Sequence, residues 1–153
     1  MTDIGQKLPD AALLDSAGNS VNLAKLAFPC VLYAYPKADT PGCTKEGQGF
    51  TALADEFAKL GVAIYGLSKD KPAKLVRFAE KYGLKVQLLS DEASDACEQL
   101  GIWVEKSMYG KSYMGIQRDT FMVNADGVVT EIWRKVKVAG HAEAVLAAAK
   151  NMV

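Results

Sequence analysis

The stretch from Cys30 to Glu46 reads CVLYAYPKADTPGCTKE, and it predicts a buried strand that leads directly into a helix. Its first part, Cys30 to Tyr35, is a continuous apolar run of the kind found in strands that are covered on both faces. Pro36 ends that run. From Pro41 to about Leu60, apolar residues recur at intervals of three and four, which is typical of a helix. A buried strand followed by a helix is the unit from which parallel sheets are built.

Strands and helices alternate along the rest of the chain. Further strands are predicted at 62–67, 86–89, 120–123 and 128–133, and further helices at 71–82, 93–100 and 141–152. A turn-rich cluster between Leu13 and Leu23 predicts an N-terminal β-hairpin, and the turn from Asn124 to Gly127 predicts a second one. The order predicts a three-layer α/β sandwich on a mixed sheet. A thioredoxin-like arrangement fits this order, as do other α/β sheets.

Composition excludes several classes of function. The 153 residues suit a single domain over 1–153, and 50% of them are apolar. Lys plus Arg and Asp plus Glu are 18 each, so the basic excess of a nucleic-acid binder is missing. One histidine and three scattered cysteines argue against a metal site, and no cofactor is expected. We expect a cytoplasmic protein, because no leader or membrane-spanning segment is visible and an odd cysteine count suits a reducing compartment.

Cys43 is the residue that carries chemistry. It falls in the first turn of the predicted helix, where unpaired N–H groups and the helix dipole favour an anion. Thiols in such positions are more acidic than free cysteine, and the thiolate is the nucleophile. Thr40 lies three residues earlier, with its hydroxyl within reach of the sulfur. A packing role for Cys43 is an equal alternative at this point, because free cysteines are common in cores.

The residues from Tyr35 to Glu46 resemble the active-site signature of peroxiredoxins, and most closely that of the bacterioferritin comigratory protein, or Q-type, subfamily. The likeness covers nearly the whole chain and extends to Glu105–Gly110, Tyr113–Ile116, Arg118–Phe121 and Gly140–Glu143. It implies a thioredoxin fold and an antioxidant enzyme. Such an enzyme reduces hydrogen peroxide and organic hydroperoxides with a thiol as the source of electrons.

The resemblance also implies roles for individual side chains. Cys43 is the expected peroxidatic nucleophile, Thr40 bonds the peroxide oxygen, Arg118 places its guanidinium beside the sulfur, and Pro36 shields the thiolate. An arginine stays charged at every working pH, so no histidine is needed to hold the thiolate. Glu46 lies one turn past the cysteine and is a candidate to orient Arg118, with a surface role as an equal alternative.

The expected resolving cysteine is missing from its usual places. Many Q-type members carry it five residues after the nucleophile, where this chain has Gln48, and the helix predicted at 71–82 has none. Cys30 and Cys97 both have the pattern of core residues. The prediction is therefore a one-cysteine mechanism in a monomer, with an external thiol (thioredoxin, glutaredoxin or a small thiol) as reductant. Cys97 as resolving cysteine and a non-catalytic binding module on the thioredoxin fold remain alternatives.

Two other kinds of cysteine enzyme do not fit. A disulfide reductase needs Cys-x-x-Cys, and the first position here is Thr40. A cysteine phosphatase has an arginine six residues after its nucleophile, and that position is Gly49.

Some aromatic and aperiodic residues receive weaker predictions. His141 is expected to be a solvated residue at a helix start rather than a catalyst. Trp103 is expected to pack in the core. The segment from Ile102 to Gln117 shows no clear period, and its Met108-Tyr-Gly110 run is a candidate for a mobile lip near the site.

Overall fold

A computed structural model describes all residues from 1 to 153. The strands β1 to β9 span Ala12–Asp15, Ser20–Asn22, Cys30–Ala34, Ala63–Ser68, Gln87–Ser90, Trp103–Met108, Lys111–Ile116, Thr120–Val123 and Val129–Trp133. The helices α1 to α5 span Pro41–Ala52, Ala54–Lys59, Pro72–Tyr82, Ala96–Leu100 and His141–Met152. A short 3-10 turn covers Leu23–Lys25. None of these helices has the length and apolar composition that crossing a bilayer requires.

The main sheet has seven strands in the order β2-β1-β5-β4-β3-β8-β9. Strands β3, β4 and β5 pair in parallel, whereas the remaining pairs are antiparallel. The predicted mixed sheet and N-terminal hairpin are therefore confirmed. Side chains alternate along the central strand β3, so that Cys30, Leu32 and Ala34 belong to one core and Val31 and Tyr33 to the other.

The two cores differ in what covers them. Helices α1, α2, α3 and α5 pack on the face that carries Tyr33, whereas α4 and the hairpin of β6 and β7 pack on the face that carries Cys30. The sheet is thus a middle layer between two others, as the order of elements predicts. Residues from the two faces are separated by the sheet itself.

The pairing of β3 with β8 places the candidate site. Because the two strands are antiparallel, with Tyr33 opposite Thr120, the carboxyl end of β3 lies beside the amino end of β8. The Ala34 N–H donates to the Asp119 carbonyl at 2.8 Å. The chain leaves β3 toward α1 at the same edge where Arg118 enters β8, so residues far apart in sequence meet there.

Two predicted helices differ from the structure in their bounds. The helix expected over 41–60 is divided at Leu53, whose N–H bonds the Phe50 carbonyl in a tight turn. The helix expected from residue 93 begins at Ala96. The buried carboxylate of Asp91 accepts the N–H groups of Ala96 and Cys97 and so sets the start of α4 at that point.

The aperiodic segment is a hairpin, which the sequence pattern did not indicate. Strands β6 and β7 form a separate two-stranded sheet. They are joined at Tyr109 and Gly110, which both have a positive φ, as the two central residues of a type I′ hairpin turn do. The tip of this hairpin is exposed on both faces, so apolar and polar residues do not alternate along its sequence. Trp103 at its base is partly buried against the core, with the Lys69 ammonium 5.0 Å above its ring.

The expectation for His141 is wrong. The residue is 7% exposed, and its ring packs edge-on against Phe50 and Trp133. Its Nε2 lies 2.8 Å from the Thr120 hydroxyl. Burial lowers the pKa of His141, and the charge of Arg118 lowers it further. The ring therefore packs as a neutral core group.

Candidate active site

Cys43 lies in the first turn of α1, two residues after Pro41 begins the helix. Thr40 is the N-cap residue, and its carbonyl accepts the Thr44 N–H at 2.9 Å. Proline suits the first helical position, where its missing N–H costs nothing. Cys43 is 1% exposed, so its sulfur is buried at the positive end of a helix of three turns.

Arg118 connects this sulfur to a buried carboxylate. Its Nη2 donates to the Cys43 Sγ at 3.4 Å, and its Nη1 donates to the Glu46 Oε1 at 2.7 Å. The structure thus brings together three of the residues singled out in the sequence. Cys43 and Glu46 lie one helical turn apart on α1, and Arg118 reaches both from the start of β8.

Gly42 makes this close approach possible, and its role was not predicted from the sequence. A Cβ at this position would lie 3.2 Å from the Arg118 Nη2, so any side chain here would press on the guanidinium. A glycine inside the first turn of a helix is unfavourable by itself. The presence of a glycine where the helix disfavours one was the sequence signal that another group packs closely against this position.

Burial and charge oppose each other in this site. The Glu46 side chain is 1% exposed, and burial raises its pKa to about 7 although Arg118 acts in the other direction. Burial disfavours the charge of Arg118, but Glu46 and Cys43 outweigh it and raise the pKa of the guanidinium. The arginine is therefore a permanent cation beside the sulfur, while its carboxylate partner is able to change charge near neutral pH.

Several buried polar atoms near Cys43 have no hydrogen-bond partner. They are the hydroxyls of Tyr33, Tyr35 and Thr44 and the second carboxylate oxygen of Glu46. Burial raises the pKa of both tyrosines. Unpaired buried polar atoms are rare and costly in folded proteins, and they concentrate where function demands them.

Thr40 and Pro36 precede the cysteine in the chain, and neither makes a hydrogen bond to it. The Thr40 hydroxyl donates to the Lys37 carbonyl at 2.7 Å. Its proton is thereby engaged, and the oxygen keeps lone pairs with which to accept a hydrogen. Pro36 is an exposed residue two positions after the end of β3.

The other two cysteines lie across the sheet from Cys43. Cys30 and Cys97 both belong to the core on the α4 face, and all three thiols are free. Burial raises the pKa of Cys30 to about 12, and burial together with Asp91 raises the pKa of Cys97. Gln48, where the resemblance places a resolving cysteine, is exposed on α1.

Asp119 is a buried residue whose role the sequence did not reveal. Its carboxylate accepts bonds from the Gln117 side chain at 2.9 Å, the Arg134 guanidinium at 3.0 Å and the Lys135 N–H at 3.0 Å. These bonds tie the chain before β8 to the chain after β9. Since Asp119 follows Arg118 directly, they also fix the backbone that carries the guanidinium.

The chain is similar to known proteins over most of its length. Residues 4–132 match the AhpC/TSA family. Peroxiredoxin Bcp of Escherichia coli K12 is 46% identical over 143 residues, covering 93% of this chain and 92% of the relative. Peroxiredoxin Bcp of Xanthomonas campestris is 45% identical over 155 residues, covering 98% and 97%.

Solved structures of relatives superpose closely. The bacterioferritin comigratory protein of Xanthomonas campestris, described for its alkyl peroxide reduction activity, gives a TM-score of 0.86 at 44% identity, covering 97% of this chain and 98% of the other. A mutant of PrxQ from Xylella fastidiosa gives 0.89 at 34% identity, covering 99% and 97%. The thioredoxin-like fold expected from the sequence is confirmed by these neighbours.

Proposed function

The chain belongs to the AhpC/TSA family as a Bcp-type, thiol-dependent peroxiredoxin, and from this premise we propose that it reduces hydrogen peroxide and organic hydroperoxides with the Cys43 thiolate and is recycled by an external thiol. The observation that carries the proposal is the Arg118 guanidinium, which lies 3.4 Å from the Cys43 sulfur and is held by Glu46. We place the reaction in the cytoplasm, in a monomer.

The first step is a displacement at oxygen. The Cys43 sulfur attacks the terminal oxygen of the hydroperoxide, an S–O bond forms and the O–O bond breaks. The leaving oxygen takes the peroxide proton and departs as an alcohol, or as water from hydrogen peroxide. Cys43 becomes a sulfenate, which takes a proton from solvent water to give the sulfenic acid. Negative charge moves from sulfur to oxygen in this step, and a fixed guanidinium beside both atoms stabilises that shift.

Thr40 and Pro36 complete the proposed site. The Thr40 oxygen, whose own proton goes to the Lys37 carbonyl, accepts the hydrogen of the peroxide and so directs the attacked oxygen toward the sulfur. Pro36 shields the thiolate from bulk water on the side of the loop before α1. Glu46 acts as a positioning residue, because it holds the other nitrogen of Arg118.

The second stage is reduction by a thiol from outside the chain. A thiol attacks the Cys43 sulfenic acid, a mixed disulfide forms and water leaves. A second thiol then releases the Cys43 thiolate and carries away the disulfide. Cys97 is a poor candidate for this role because it lies on the opposite face of the sheet and is fully buried. Since Cys43 is 1% exposed, part of the structure around it must move to admit the reductant.

The test is a turnover assay combined with mass spectrometry. Hydrogen peroxide and tert-butyl hydroperoxide are each supplied with thioredoxin and its reductase, with glutaredoxin and glutathione, or with a small thiol alone. Protein treated with one equivalent of peroxide should gain one oxygen on the Cys43 peptide. Failure to consume either peroxide overturns the proposal. An internal Cys43–Cys97 disulfide at high yield overturns the recycling step alone.

A further inference from the structure

A cavity of about 450 Å³ opens beside Arg118, has no residue of α1 in its lining and is rich in positive charge. Its charged and polar lining consists of Glu105 and Lys106 from β6, Gln117 and Arg118 before β8, and Lys135 after β9. Three cationic side chains therefore converge on it, against a single carboxylate. Its volume is that of a site for a small molecule.

The two lysines of this cavity have no anionic partner in the protein. Neither Lys106 nor Lys135 takes part in any of the ion pairs of the chain. The half-buried Lys106 donates only to the Ile116 carbonyl, at 2.5 Å. Burial and the neighbouring Arg118 both lower the pKa of Lys106. The charged form of Lys106 is therefore destabilised, and a bound anion would offset that destabilisation.

The wall of the cavity is fixed rather than loose. Lys135 has a φ of 51°, a left-handed conformation that is unfavourable for a residue with a side chain. Its N–H donates to the buried Asp119 carboxylate at 3.0 Å, and the next residue, Val136, donates to the Arg118 carbonyl at 2.8 Å. Strain of this kind persists where the surrounding contacts over-determine the backbone, and it is common at functional sites.

We propose that this cavity binds the carboxylate of an acidic low-molecular-weight thiol, and that the bound thiol attacks the sulfenic acid of Cys43. The inference rests on the one-cysteine recycling step of the proposed function. A carboxylate matches the point charges of the two unpaired lysines, next to a guanidinium whose terminal nitrogens Glu46 and Cys43 already engage. Arg118 lines the cavity and also donates to the Cys43 sulfur at 3.4 Å, so a thiol anchored there by its carboxylate is held beside the side chain that contacts the reacting sulfur.

The reaction balances with the thiol as the only co-reactant. The thiol sulfur bonds to the Cys43 sulfur, and the sulfenic oxygen leaves as water with the thiol proton and its own. A second thiol of the same kind displaces the Cys43 thiolate and forms the symmetrical disulfide. Two thiols are oxidised for each hydroperoxide reduced.

The experiment compares an acidic with a neutral thiol in matched variants. The value of kcat/KM is measured for 3-mercaptopropionate and for 2-mercaptoethanol, with tert-butyl hydroperoxide held at a fixed saturating concentration. The test variant is Lys106→Gln with Lys135→Gln. The control is Lys111→Gln with Lys137→Gln, two exposed lysines that do not line the cavity.

The ratio of the two kcat/KM values should fall about 10-fold in the test variant, as expected for loss of bonds to a charged group, and by less than about 2-fold in the control. It should also fall with added salt, because Lys135 is exposed. Lys106→Arg should keep the ratio. An equal loss in Lys106→Arg and Lys106→Gln would assign the effect to packing and overturn the inference.

Two further outcomes would count against the site. An unchanged ratio in the test variant overturns it. A raised KM for a hydroperoxide that bears a carboxylate, with no change in the thiol ratio, assigns the cavity to the oxidant and overturns it as well. Oxidation of Cys43 by peroxide is followed separately by mass spectrometry. Normal oxidation without a preference for acidic thiols rejects only this inference, whereas absent oxidation rejects the proposed function.

Discussion

Cys43 and Cys97 occupy similar positions in two different helices. Each lies in the first turn of its helix, and their exposures are 1% and 0%. Their neighbours have opposite charge. The Arg118 guanidinium lies 3.4 Å from the Cys43 sulfur, whereas the Asp91 carboxylate accepts the Cys97 N–H at 2.8 Å. Burial and a helix start are common to both cysteines, so the reactive role proposed for Cys43 depends on the charge placed beside the sulfur.

The two surroundings also differ in how completely they are satisfied. Asp91 caps α4 and pairs with Lys69 at 3.1 Å, so the region around Cys97 is a closed network. The region around Cys43 contains four unpaired buried polar atoms, and α1 itself contains three glycines that weaken a helix. The buried polar groups around Cys97 are paired, whereas the region around Cys43 combines unpaired polar atoms with a helix weakened by glycines. Such local violations of the folding rules are expected at a functional site.

The largest expected difference between the two regions is the one between replacing Cys43 and replacing Cys97 by serine. Cys43→Ser should lower peroxide consumption by at least about 1,000-fold, because a hydroxyl in its place is not ionised. Cys97→Ser should keep most of the rate with a small-thiol reductant. Both are measured as peroxide loss at fixed thiol concentration. A comparable loss in Cys97→Ser would mean that this sulfur takes part in the cycle and would remove the contrast.

The next largest effect is expected for the cation. Arg118→Met should lower kcat/KM for hydrogen peroxide by about 100- to 1,000-fold, the range found for loss of one preorganised donor. Alkylation of Cys43 by iodoacetamide below pH 8 should slow in the same variant. Arg77→Met, an exposed arginine on α3, serves as control. Unchanged alkylation in Arg118→Met would show that the helix start alone keeps the sulfur reactive.

Features that depend on residues close together in the sequence could be predicted, whereas contacts between distant residues could not. The buried run of β3 and the start of α1 place Cys43 at the end of a strand, and such local patterns are visible in a sequence. The contact with Arg118 depends on β8 pairing antiparallel with β3. It was expected only because the motif resembles a known family.

Other features depend on contacts that no local pattern encodes. His141 has the surroundings of a helix start in sequence, yet Phe50 and Trp133 bury it. Asp119 looks like an ordinary acidic residue beside a strand until the chain after β9 returns to it. The hairpin of β6 and β7 is exposed on both faces at its tip, so the alternation that marks a strand is missing.

Burial of Glu46 predicts that the stability contributed by the region around Cys43 depends on pH. The folded pKa of Glu46 is raised to about 7 from 4.5, so the folded state holds a proton more tightly than the unfolded state. The resulting stability is fully present below about pH 4.5 and is lost as the pH rises through 7. Wild type should therefore lose up to about 3 kcal/mol relative to Glu46→Gln between pH 4.5 and 8.

This prediction is checked by urea unfolding at both pH values. Glu80→Gln, an exposed position on α3, should track wild type across the same range. If Glu46→Gln also tracks wild type, the folded carboxyl has the same pKa as the unfolded one. The guanidinium would then offset burial completely, and Glu46 and Arg118 would form an ordinary ion pair like that of Asp91 and Lys69.

The smallest effect is expected at Asp91. Its replacement separates the two causes of the raised pKa of Cys97, which are burial and the charge of Asp91. Asp91→Asn keeps an acceptor for one N–H of α4 but removes the charge, and should cost about 1 to 2 kcal/mol of stability. The pKa of Cys97 should fall but stay high, because burial is its larger cause. Alkylation of Cys97 should therefore remain far slower than that of Cys43, as followed by mass spectrometry of the two peptides. Equal labelling would mean that the carboxylate had been suppressing a thiol as reactive as Cys43, and that a cation is not what distinguishes them.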